Sequence, residues 1–549
     1  MKKRYTFMFK NWLRFGLLTA FASIFSLDAF AQTAPAKIWD KTFGSTDIDH
    51  LYAGQQTKDG GYIIGGGSNS GIGGDKSQPH IGGNSDFWIV KMDRFGNKQW
   101  DKTYGSLDSE GIWCIKQTKD GGYIIGGSTH DLPISGDKTQ SGYGLEDYWI
   151  LKLDSNGIKQ WDRTYGGAHD DHFRSLGQTS DGGYILSGVS NSGIGGSKSQ
   201  PNKGNLTTWD YWVIKTDANG NKLWDKTIGG TGNEVFKELA VTADGGSILG
   251  GYSKSGMSGD KSQPAKGNYD CWIVKLDSLG SKQWDKTYGG TNNDFLWRIK
   301  QTSAGNYIVG AYSNSDANGD KSQPSKGAED LWLLKLDPIG NKIWDKTYGT
   351  SLYDGIGDFV EDPTGGYLVS GYTVSGINGD KSQAAMGGAD IWILKLDING
   401  VKIWDQTYGG TDNDWPTDIY VESNGSFLIA GESMSGLSGD KSQACWGVTD
   451  QWVIKVGESP NGINESLLTQ ISLYPNPNQG KFILKLSNLT APKAEVTVSD
   501  LLGRVVLQQE LNVSNNQLSE ELNLPNAKGM YLLQVKVGEQ IITRKIVVE

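Results

Sequence analysis

At 549 residues the chain is too long for one ordinary core, so it holds either several domains or one large array built from a repeat. A formal net charge of -10, with no Lys/Arg cluster standing against it, repels phosphate backbones and excludes nucleic acid as a partner. The cysteines Cys114, Cys271 and Cys445 fall at three different places in the repeat described below, which argues against a disulfide framework.

In chain order, the first segment carries Lys2, Lys3, Arg4, Lys10 and Arg14, then an apolar stretch from Phe15 to Phe25, then Ala29, Phe30 and Ala31 before Gln32. This predicts a cleavable signal peptide over residues 1–31, cut between Ala31 and Gln32. The apolar stretch is shorter than the roughly 20 residues a membrane span needs, so no transmembrane anchor is expected. The residue directly after the cut is Gln32 and not cysteine, so a lipoprotein-type anchor is not supported either.

The motif WDKTYG, or a close variant, then recurs with its tryptophan at Trp39, Trp100, Trp161, Trp224, Trp284, Trp344 and Trp404. A second motif, an acid two residues before a tryptophan followed by apolar residues and lysine, places Trp88, Trp149, Trp212, Trp272, Trp332, Trp392 and Trp452. Fourteen of the 20 tryptophans belong to the repeat, which makes them packing anchors.

Each unit reads as four strands. In the first they run Asp49 to Gln56, Gly61 to Gly66, Asp86 to Met92 and Lys98 to Tyr104, with hairpin turns at Lys58–Gly61 and Asp93–Asn97. Trp88, Ile89 and Val90 are continuously apolar, so both faces of that strand are covered, and neighbouring units are the cover available. The expected fold is all-β: a seven-bladed β-propeller over residues 37–457. The chain opens with a WDKTFG strand and ends its last unit without one, so residues 37–44 should close the last blade beside 450–456.

The repeat resembles bacterial propeller repeats of about 60 residues that carry a GGYIIGG hairpin and a DxWIVKLDxxGNKxWDKTYGG tail. It resembles more distantly the tryptophan-docked blades of quinoprotein-like propellers, whose cofactor-holding features are not found in this sequence. These resemblances imply fold and little function.

Within the units, the loop between second and third strands carries GGDKSQ or a variant, with Lys76, Lys138, Lys198, Lys261, Lys321, Lys381 and Lys441. Aligned on Thr57 of the first unit, an acid recurs eight positions earlier in every unit: Asp49, Glu110, Asp171, Glu234, Asp294, Asp354 and Asp414. These predict a polar rim at the channel mouth. It is either a cation or polar-ligand site or, the favoured reading, a set of acceptors for each blade's own loop. Carboxylates about 10 Å apart repel by only ~0.4 kcal/mol in water, and no EF-hand-like spacing occurs, so no metal is expected.

Among residues that break the repeat, Trp415 at the rim and Trp446 in the last long loop are candidate binding aromatics. Trp113 and Trp297 share a column with Tyr52 and read as core; Trp209 extends a strand start. His169 and His172 are the only histidine pair, at a spacing that would not aim both rings one way on a strand. No serine or cysteine sits in a nucleophile motif with a histidine. No catalytic residue and no cofactor is expected.

After Gly457 the composition changes. Residues 458–467 read as a linker, and alternating stretches around Phe482–Leu486, Ala494–Val498, Arg504–Gln508, Tyr531–Val537 and Ile541–Val548 predict a small antiparallel β-sandwich over 468–549. Tyr474, Pro475, Asn476, Pro477 and Gly480, then Asp500, Gly503 and Arg504, then Gly529, Tyr531 and Lys545 with the residues after it, resemble in order the three motifs of type A sorting domains of the type IX secretion system. The resemblance implies export across the outer membrane of a Bacteroidetes-type bacterium, with the secretion machinery as partner, and release or attachment at the surface.

The sequence therefore reads as an exported, non-enzymatic binding, adhesion or scaffold propeller with a glycan or protein ligand on its long-loop face. The alternative is a secreted propeller enzyme, a glycan hydrolase or lyase or a quinone-dependent oxidoreductase; an enzyme should show one asymmetric polar cluster.

Overall fold

A computed structural model of the protein describes residues 34–130, 133–363, 365–457, 471–487, 492–500, 504–514, 517–524, 528–537 and 540–548. The expected signal peptide with Ala31 and Gln32, the expected linker 458–467 and Gly503 lie outside these. Every regular element among the described residues is a β-strand.

Between Lys37 and Val456 the strands make seven four-stranded antiparallel sheets. The first runs from inside outward as Ala53–Gln56, Tyr62–Ser68, Asp86–Met92 and Lys98–Tyr104. Innermost strands touch in cyclic order, each against the next, and Asp414–Val421 of the last sheet returns to Ala53–Gln56 of the first. A closed ring of such sheets is a β-propeller, with each sheet a blade. Lys37–Phe43 pairs antiparallel with Asp450–Val456, Thr42 opposite Trp452, and completes the seventh sheet.

Two sequence motifs prove to be halves of one contact. The fully buried Trp88 donates its indole N–H to Asp101 on the neighbouring outer strand (3.3 Å), and the same carboxylate accepts the Ser77 amide of the long loop (2.8 Å). The bond recurs in every blade, ending with Trp452 on Asp40 of the closing strand (3.1 Å). Between blades the core is continuous: Phe87 and Ile89 pack with Trp149 and Leu151 of the next sheet. Farther out, the ring of Trp39 lies over Gly96 in the third-to-outer hairpin of the next blade. A Cβ there would sit 2.9 Å from that ring, and Gly96 also has φ +78°.

The C-terminal residues form a three-stranded sheet, Ile471–Tyr474, Lys481–Leu486 and Leu518–Asn523, and a four-stranded one, Val505–Asn512, Lys493–Asp500, Gly529–Val537 and Gln540–Val548. Phe482, Leu484, Val496, Val498, Leu533 and Val535 meet in one core, a sandwich as expected from the alternation. Two of its strands escape sequence reading. In Leu518–Asn523 only Leu518 and Leu522 are buried, so the segment looks polar.

Candidate functional site

The seven acids do not rim the channel. Asp49, Glu110, Asp171, Glu234, Asp294, Asp354 and Asp414 are all buried. Each accepts the backbone N–H four residues before it, as Ser45 to Asp49 (2.7 Å) and Gly290 to Asp294 (2.7 Å). Hydroxyls complete the set, Ser70 on Asp49 and Ser192 on Asp171, both at 2.9 Å. The reason is strand alternation: residues one and three places on turn to the channel, so the acid turns away from it.

The seven loop lysines are buried as well. Lys76 donates to Ser68 Oγ (2.8 Å) and Lys198 to Thr227 Oγ1 (2.8 Å). Each loop also docks on the preceding outer strand, Asp75 N–H on Gly44 O and Asp137 N–H on Gly105 O, both at 2.8 Å. Burial holds Lys198 and Lys261 down to about 8, against the pull of nearby acids. Those acids come in inter-blade pairs. Asp210 of one third strand lies beside Glu234 of the next inner strand, and burial first, then that neighbour, raise Asp210 to about 7. Asp330 beside Asp354 and Asp450 beside Asp49 rise to about 6 for the same reasons. Buried lysines and buried acid pairs therefore lie together at the seams between the blades.

Trp446 is 60% exposed and sits on the seam between the last and first blades. Its indole hydrogen-bonds Asp75, which lies beyond that seam. Lys266 and Lys326, at the equivalent loop positions, pair with Asp320 and Asp380 across theirs. Trp446 thus takes the place of a bridging lysine.

The sevenfold pattern fails inside the channel. In six inner strands a β-bulge falls three residues after the acid, at Trp113, Arg174, Lys237, Trp297, Gly357 and Thr417. The equivalent residue of the first blade is Tyr52. A bulge turns two successive side chains toward the same side, and the second set adds Glu238, Arg298, Asp358 and Asp418. Trp113 and Trp297 therefore line the channel, and Trp297 also packs against the core between the fifth and sixth sheets. Arg174 lies over the Trp113 ring (4.0 Å) and Lys237 over the Trp297 ring (3.8 Å). His50, Tyr52 and Trp113 stack in series at 5.0 Å.

Deeper in, charges are matched. Arg298 faces Asp358 (3.7 Å) and Asp418 (3.9 Å), Lys300 bonds Asp358 (2.5 Å), and the Ile299 amide bonds Glu238 (2.9 Å). Burial raises Glu238 and Asp418 above the carboxylate range, against the pull of Arg298. Above this layer, on the long-loop face, opens a cavity of about 450 Å³ walled by Tyr52, Trp113, Trp297, Tyr372 and Trp415. Trp415 is half-buried there. His172 is drawn off to Glu146 (3.2 Å) and the edge of Trp209. The sequence signal of this site is a column of seven residues that does not repeat, Tyr52, Trp113, Arg174, Lys237, Trp297, Gly357 and Thr417.

In the C-terminal sandwich the motif residues tie the sheet ends. Asn476 Oδ1 accepts the Val547 amide (2.8 Å), Asn478 N–H donates to Val547 O (2.9 Å), and Gly480, at φ +87°, donates its amide to Asn478 Oδ1 (2.7 Å). Asp500 accepts both the Arg504 amide (3.0 Å) and its Nε (2.6 Å). Tyr474 stays exposed and Gly529 has φ +104°.

Residues 472–549 match the secretion system C-terminal sorting domain family. They are such a domain, and it directs the chain through type IX secretion to the cell surface or extracellular space. No helix among the described residues is long and apolar enough to cross a membrane. The regulatory protein FlaEY of Caulobacter vibrioides is 27% identical over 350 residues, covering 59% of this chain and 36% of its own length. This chain thus spans about a third of that relative. Among solved structures, hydrazine synthase of Kuenenia stuttgartiensis overlaps 80% of this chain and 96% of its own at 9% identity and TM-score 0.34. A puromycin hydrolase overlaps 83% and 62% at 10% identity and TM-score 0.41.

Proposed function

We propose that this exported propeller is a non-enzymatic binding module whose ligand enters the channel mouth at the centre of the long-loop face. The observation that carries this reading is the broken symmetry at the bulge. Seven-fold groups maintain architecture, whereas Tyr52, Trp113, Arg174, Lys237 and Trp297 differ from blade to blade and wall an open cavity. A concave site with aromatic walls and a few convergent polar groups is where a ligand is held. Residues 1–31 bring the chain to the periplasm and the sorting domain completes export; fold alone assigns no activity.

A glycan array probed with the full chain tests this. Selective binding lost in Trp297→Ala and kept in Trp446→Ala supports the channel mouth; the reverse pattern returns the site to the seam.

One observation favours the enzyme reading: the channel does hold an asymmetric polar cluster, with the buried carboxylate of Asp358 and the half-buried ones of Glu238 and Asp418 around Arg298. Turnover of a bound glycan that stops in Asp418→Asn would replace the binding reading with that one.

A further inference from the structure

We infer that the channel mouth recognises the carboxylate of an acidic saccharide unit, held by Arg174 and Lys237; this rests on the channel-mouth reading above.

The charge balance is the first ground. Lys116, Arg298 and Lys300 lie among Glu238, Asp358 and Asp418, three cations among three acids. Arg174 and Lys237, one layer nearer the mouth, make no ion pair or hydrogen bond among the described residues. Both line the cavity. The acids nearest them are engaged elsewhere, Glu432 of the cavity wall with His50 (2.8 Å) and Glu146 with His172 (3.2 Å).

Geometry is the second. A guanidinium stacked on an indole uses its face and leaves its forked in-plane N–H donors free, the arrangement that clasps a carboxylate through two bonds. Lys237 over Trp297 adds an ammonium with three donors. Burial, then the charges of Arg174 and Arg298, hold Lys237 down to about 7; an anion set between them relieves that repulsion. The remaining walls include the rings of Tyr52, Tyr372 and Trp415, which suit the C–H faces of a sugar ring, and the polar groups of Thr417 and Glu432, which suit its hydroxyls. A cavity of about 450 Å³ accommodates one or two such units.

Isothermal titration of the full chain at pH 6.5 with glucuronate, glucose and inorganic phosphate tests this. Glucuronate is expected to bind, glucose at least about tenfold more weakly, and R174M and K237M each to weaken glucuronate by about tenfold or more, the scale of a lost charge-assisted hydrogen bond. R174K, which keeps the charge and loses the fork, covers the case in which R174M does not fold. At pH 8.5 affinity should fall as Lys237 loses its proton, the groups facing it being Arg174, Arg298, Glu238 and Tyr252. Equal binding of glucose, lost in Trp297→Ala, overturns the anion assignment and leaves the mouth as the site. Phosphate binding as tight as glucuronate overturns the saccharide. Glucuronate binding untouched by R174M and K237M, or no binding of any probe, overturns the inference.

Discussion

Glu110 shows what burial does to an acid in this ring. It accepts the Ser106 amide (2.9 Å) and the Thr129 hydroxyl (3.1 Å), lies near Asp86, and is pushed by burial to about 7 from 4.5. The folded pKa lies above the unfolded one, so the stability this group confers is complete below about pH 4.5 and is lost as pH rises to 7. Glu110→Gln has no such proton. Relative to it the natural protein should lose up to about 3 kcal/mol between pH 4.5 and 7.5, read by urea unfolding at both pH values; a constant difference would refute the raised Glu110 pKa. Trp446 supplies a second case. If it is a seam residue, Trp446→Lys should pair with Asp75 as Lys266 does with Asp320, and stability should stay within about 1 kcal/mol. Neither role could be read from spacing. The lysine and acid columns were plain in the sequence, but whether a loop folds back over them is settled by contacts between blades.

At the scale of elements, the closing strand carries the clearest prediction. Lys37–Phe43 supplies Asp40, which accepts both the Trp452 indole (3.1 Å) and the Ser442 amide (2.8 Å). Removing residues 37–44 should lower the melting temperature sharply, since it bares the edge of Asp450–Val456 and the core around Trp452; calorimetry showing no change would refute the closure. Asp40→Ala should cost about 1–3 kcal/mol, the penalty of buried donors left without an acceptor. This strand was legible because counting motifs leaves one WDKTFG in excess at the start and one missing at the end. The inner-strand bulges were not. A bulge adds one residue without altering composition, and that residue decides whether Trp113 and Trp297 face the core or the channel.

For the molecule as a whole, address and architecture are independent. Deleting residues 468–549 should leave the propeller in the periplasm, scored by immunoblot of fractions; unaltered secretion would sink the assignment. The ordered YPNPxxG, DxxGR and GxY motifs made that domain readable from sequence, because its loops depend on particular residues, as Asn476 and Asn478 show in holding Val547. The repeat likewise determined by itself an all-β ring, its period, its tryptophan anchors and its closure, since these follow from local alternation and from counting. Tertiary structure alone decided which polar groups are buried. The acids expected at the rim lie beneath the loops, the loop lysines lie between blades, and the uncompensated cations of the channel meet only because separate blades bring Arg174 and Lys237 to one axis, a convergence that no linear spacing encodes.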